Sequence, residues 1–125
     1  MFKKSSHAFT LVEIMIVVAI IGIIIAIAVP AFLRAREVSR GTACQENLSK
    51  IDSAKEVYLM EKKAATDFDF GSDWDLLTQP DGVAGTGYIK EQPACPAGGT
   101  YSINNGSELP TCDYLAPTWA KAHAI

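Results

Sequence analysis

The 125-residue chain sets eleven Lys and Arg against fourteen Asp and Glu, a formal net charge of -3, which excludes a surface built to coat nucleic acid through its phosphates. Its apolar residues are unevenly spread: the twenty positions from Ile14 to Leu33 carry no charge at all. The roughly 90 residues that follow are enough for one small domain and too few for a deep catalytic cleft.

In chain order, residues 1–8 place Lys3 and Lys4 ahead of the apolar run, as in a targeting segment. The run is too long for a signal-peptide core, and no small-x-small cleavage site follows it. Residues 9–33 have the length of a membrane span: at about 1.5 Å rise per residue the segment is roughly as long as a bilayer's hydrocarbon core is thick, about 30 Å. The run is rich in β-branched residues, yet lipid demands that backbone groups be satisfied within the segment, so a helix is expected. Gly22 and Pro30 weaken that helix, Gly by about 1 kcal/mol relative to Ala and Pro through its missing donor, and mark a bend between them. Glu13 is the single carboxylate at the start of the span, and a charge there is expensive enough to point to a partner.

Phe9-Thr10-Leu11-Val12-Glu13, behind a short basic leader and ahead of an uncharged run holding Gly22 and Pro30, resembles the N-terminal signature of type IV pilins and type II secretion pseudopilins. The resemblance implies cutting between Ala8 and Phe9 by a prepilin peptidase, N-methylation of Phe9, and anchoring in the bacterial inner membrane with the C-terminal part outside the cytoplasm. It further implies delivery by an inner-membrane assembly platform into a helical homo-oligomeric filament, in the periplasm or outside the cell. The family's residue before the cut is nearly always Gly, and Ala8 stands there in this chain. By the same resemblance Glu13 neutralises the new amino terminus of a neighbouring subunit, which removes two costly charges at once.

Residues 34–65 continue the helix as an amphipathic element. Cys44, Leu48, Ile51, Ala54 or Lys55, and Tyr58 recur at three- and four-residue spacing, a stripe that must face something apolar. It is short and interrupted by Gly41, so packing beneath the chain's own C-terminal domain is expected rather than a coiled coil. Cys44 reads first as a small buried hydrophobe.

Residues 66–125 are expected to form a loop-rich unit with a small antiparallel sheet, making the chain α+β. Asp67, Asp69, Asp73 and Asp75 around Gly71 do not match the spacing of a calcium loop. Ser72 is a candidate N-cap for a short helix over 73–78, with Trp74, Leu76 and Leu77 packed against the long helix. Tyr88-Ile89 is a candidate strand, and Asn104-Asn105-Gly106 is a hairpin turn between 100–103 and 109–114. Among Cys44, Cys95 and Cys112 three intrachain pairings exist. The family's C-terminal cysteine loop implies Cys95 with Cys112, a closure of about sixteen residues that contributes roughly 3 kcal/mol. The hairpin does not set those two opposite each other, so Cys44 with either one stays open. Trp119 is expected to dock, and His123 to be an exposed tail residue.

With His7 in the leader and His123 in the tail, the chain offers no Ser-His-Asp set and no metal-ligand spacing. No enzyme, metal or cofactor is expected. The residues point to a filament subunit, with two alternatives: a pseudopilin or minor pilin, and a membrane-anchored binding domain that does not polymerise.

Overall fold

The computed structural model describes residues 9–83, 85–118, 120 and 122–125. Its first element, α1, runs from Leu11 to Lys62 and passes through Gly22 and Pro30 without a break. The chain divides into a unit ending at Ala35 and a second from Arg36 to Ile125.

The first unit is a helix without a core. Ile23, Ile27 and Phe32 are 65%, 71% and 67% exposed, and none of its most apolar window is buried. Its length and composition suit a membrane crossing, where acyl chains rather than protein would cover those side chains.

The second unit is built on the stripe. Cys44, Leu48, Ile51, Ala54, Lys55 and Tyr58 are all buried, because positions three and four apart fall on one helical face. Against them pack Phe70, Leu77, Cys95, Tyr101 and Ile103. Each large aliphatic or aromatic side chain removed from water in this way contributes about 1.5–3 kcal/mol. Tyr58 also stands edge-on to Phe70 and Tyr88, with ring centroids 5.3 and 5.9 Å away. Lys55 is 1% exposed. Its ammonium donates to the Glu108 carbonyl and lies 4.0 Å from Asp52, as a buried charge requires.

A short helix, α2, spans Asp75–Thr78. Ser72 does not cap it; Asp73 Oδ1 accepts the Asp75 N–H at 3.1 Å, so the acidic neighbour takes the turn-forming role expected of the serine. Strands β1 (Tyr101–Ser102) and β2 (Thr111–Cys112) pair antiparallel, Tyr101 opposite Cys112 and Ser102 opposite Thr111. Tyr88-Ile89 forms no strand; its Ile89 N–H donates to the Leu77 carbonyl at 3.1 Å.

The β1–β2 connection departs from a tight hairpin. Asn104, not Gly106, takes the left-handed conformation, at φ 61°, and its side chain donates to the Leu109 carbonyl at 2.8 Å. Asn105 Oδ1 accepts the N–H groups of Ser107 and Glu108. Gly106 N–H donates to Phe68 O at 2.8 Å, drawing the turn onto the chain that leaves α1. A Cβ at Gly106 would stand 2.5 Å from Thr66 O and 2.8 Å from Leu59 Cδ1. Glycine is required there for close approach, not for φ.

Candidate functional site: a capped helix start and a buried cysteine–histidine cluster

At the start of α1, Thr10 and Glu13 close on each other. Glu13 Oε2 accepts the Thr10 N–H at 2.8 Å and the Thr10 hydroxyl at 2.9 Å, and Thr10 Oγ1 in turn accepts the Glu13 N–H at 3.3 Å. This reciprocal pair is a capping box, which satisfies backbone donors that a helix start otherwise leaves open. The Thr-x-x-Glu spacing was readable in the sequence, but the cost of the carboxylate in the span hid its local role. Glu13 therefore sits beside the backbone N–H next to Phe9, the residue whose amine a cut after Ala8 would create. Phe9 is 81% exposed. Ala8 and the rest of 1–8 lie outside the described residues, as does Trp119, expected to dock.

The second feature lies in the C-terminal unit. Cys44 from α1, Cys95 from the loop before β1, Cys112 from β2 and His123 from the tail bring three Sγ atoms and a ring nitrogen within 4.8 Å of one another. The expected Cys95–Cys112 disulfide is not formed, nor is a Cys44 pairing; all three are thiols. The strand register gives the reason, since Cys112 faces Tyr101 across the sheet and its sulfur is shared between two cysteines rather than matched to one. His123 is a second correction: expected to be exposed, it is 4% exposed, with Nδ1 3.6 Å from Cys95 Sγ and its ring against Tyr114, centroids 4.6 Å apart.

Local structure fixes each group. Cys95-Pro96-Ala97-Gly98 is a tight turn closed by a Gly98 N–H to Cys95 O bond of 3.0 Å, with Gly98 at φ 88°, a conformation that favours glycine. Gly99 lets β2 come near: a Cβ there would stand 2.8 Å from Cys112 Sγ. Gln45, beside Cys44 on α1, donates to the carbonyls of Ala122 and Ala124 at 3.0 and 2.9 Å, clamping the backbone on both sides of His123. The three thiols are unequal. Burial pushes the Cys95 thiol up, but hydrogen bonds from the Ala97 and Gly99 N–H groups, His123 and Cys112 outweigh it and bring the thiol down to about 7. Burial drives Cys44 up to about 12 and raises Cys112.

Sequence reading missed this cluster because its members come from four separated segments with no local ligand spacing. One signal was present: three cysteines cannot all be used by one internal disulfide.

A capped helix whose uncharged first half has no cover runs on into a small α+β unit. The model of the prokaryotic N-terminal methylation motif matches residues 3–29. The chain is similar to the type IV major pilin protein PilA of Myxococcus xanthus, 40% identical over 67 residues, which is 54% of this chain and 30% of that pilin. It is similar to the type II secretion system core protein G of Pseudomonas aeruginosa, 29% identical over 94% of this chain and 78% of the relative. The competence protein ComGC of Halalkalibacterium halodurans is 29% identical over 83% of this chain and 93% of its own length. No solved structure matches. The matched motif lies in the amino-terminal part of the chain, and the relatives it resembles are type IV pilin, type II secretion core and competence proteins.

Proposed function

We propose that this chain is the structural subunit of a type IV pilus-like filament. In this reading residues 1–8 are a leader removed between Ala8 and Phe9 by a prepilin peptidase that also methylates Phe9. Residues 9–33 hold the subunit in the inner membrane with residues 66–125 outside the cytoplasm, and an assembly platform then moves it into the filament. Residues 34–65 carry the C-terminal unit.

The observation that carries the reading is Glu13, bound to the N–H of Thr10 one residue after Phe9, on a helix whose apolar side chains have no cover. In the lone subunit the carboxylate is held by Thr10. In a filament it can exchange that cap for a neighbour's Phe9 ammonium, a stronger, charge-assisted partner. The same apolar surface suits acyl chains before assembly and neighbouring helices afterwards, so transfer loses little. Gly22 and Pro30, which weaken the helix, are the points where it gives. The test is Glu13→Ala, with membrane insertion and sheared filaments measured together. Insertion without filaments is expected, and wild-type filament yield from the variant would refute the pairing. Mass spectrometry of the mature amino terminus checks the processing, where methylated Phe9 is expected.

One observation favours a second reading, a type II secretion pseudopilin. The core protein G alignment runs over 94% of the chain, whereas the Myxococcus pilin alignment covers 54%. Deleting the gene separates the two: loss of surface filaments supports the pilus, and retained filaments with loss of protein export support the pseudopilus.

A further inference from the structure

We propose that Cys44, Cys95, Cys112 and His123 form a closed tetrahedral site for a zinc-class divalent ion, which ties the helix, the 95–98 turn, strand β2 and the tail together. The first ground is geometry. With Zn–S bonds of about 2.3 Å and a Zn–N bond of about 2.0–2.1 Å, the edges of a tetrahedral Cys3His site measure roughly 3.5–3.8 Å. The Cys95 Sγ to His123 Nδ1 separation is 3.6 Å, and all four donor atoms fall within 4.8 Å of one another. No bond joins any two of the three sulfurs.

The second ground is burial. His123 is 4% exposed, with Nδ1 turned to Cys95 Sγ, and an imidazole nitrogen taken from water is poorly compensated by a thiol contact. Metal ligation at Nδ1 would give that nitrogen a stronger partner.

The third ground is the polar support around the cluster. Tyr101 stands opposite Cys112 in the sheet, and Gln45 holds the backbone carbonyls on both sides of His123. Asn47 Nδ2 donates to the Tyr101 oxygen at 3.2 Å, which directs the Tyr101 proton away from Asn47. Polar partners of this kind orient the ligands of metal sites.

Three thiolates and one imidazole select zinc over the hard, oxygen-seeking cations. On binding, each protonated cysteine loses its thiol proton to solvent as its sulfur bonds the ion, and no electron is transferred. With four protein ligands no position stays open for substrate, so the ion is structural.

The test uses the full-length chain purified in detergent under reducing conditions and equilibrated with zinc. One zinc per chain should survive dialysis, and the three thiols should resist alkylation until a chelator is added. Cobalt loaded in zinc's place should give the visible bands of a tetrahedral thiolate complex. Gln45→Ala touches no ligand directly; as a positioning residue it should weaken zinc about 10- to 100-fold in chelator competition while far-UV circular dichroism and the count of three thiols stay unchanged. Three thiols that alkylate freely in the folded chain with no zinc retained would overturn the proposal. So would an intact mass two hydrogens lighter with one reactive thiol, which would mean a disulfide.

Discussion

Gly106 separates two accounts of the turn between β1 and β2. If its role were a hairpin turn with positive φ, Asn would replace it well, but its φ is not positive. A Cβ would instead meet Thr66 O at 2.5 Å and Leu59 Cδ1 at 2.8 Å. The first neighbour is backbone and cannot rotate away, so the turn must move by several tenths of an ångström. That motion stretches the Gly106 N–H to Phe68 O bond of 2.8 Å and loosens the Asp69–Asn105 bridge. Overpacking costs about 1–3 kcal/mol and a lost hydrogen bond about 0.5–1.5 kcal/mol, so Gly106→Ala should destabilise the C-terminal unit by roughly 2–4 kcal/mol. For a unit of this size, at about 4–8 °C per kcal/mol, Tm should fall by at least about 8 °C. Near-UV circular dichroism during a thermal scan of the full chain reads this through the tyrosines and phenylalanines of the core. Gly106→Asn should fare no better than Ala. A variant within about 0.5 kcal/mol of wild type, or a clear advantage of Asn over Ala, would refute the close-approach account.

Three other expectations follow from the same contacts. Leu48→Ala removes a fully buried side chain from the stripe and should cost about 2–5 kcal/mol in chemical denaturation, whereas an equal truncation at the exposed Met60 should cost little. Burial lowers the Lys55 pKa, with Asp52 and Glu108 opposing it, so the unfolded chain binds the proton more tightly than the folded one. Stability should therefore rise as pH increases from the lowered value toward 10.5, the ordinary lysine value, and a slope of the opposite sign, or one retained in Lys55→Met, would exclude the assignment. Thr10→Val opens the capping box and should weaken the first turn by about 1 kcal/mol, seen as faster amide exchange at residues 11–14 with the rest of α1 unchanged.

The long helix, the span and the buried stripe were legible because each depends on residues near one another in the chain. An uncharged run announces its solvent, and a three- and four-residue spacing announces its face. The turn at 104–106 is legible in the sequence, but its contacts are not, since nothing local reveals that Thr66 will lie against Gly106. Tyr88-Ile89 had strand-forming side chains and no strand to pair with. Glu13 was marked as a costly charge, and only the folded helix start showed that Thr10 already satisfies it.

The sequence alone determined where this protein is apolar, where its helix begins and which family its amino terminus resembles. Tertiary structure decided what its cysteines do. Cys44, Cys95 and Cys112 have no informative spacing, and His123 looks like a loose end until Gln45 clamps the carbonyls on either side of it. Packing Cys44's face of α1 against the 95–98 turn and β2 gathers all three sulfurs about one imidazole, and such convergence arises from contacts between distant segments that no local pattern encodes.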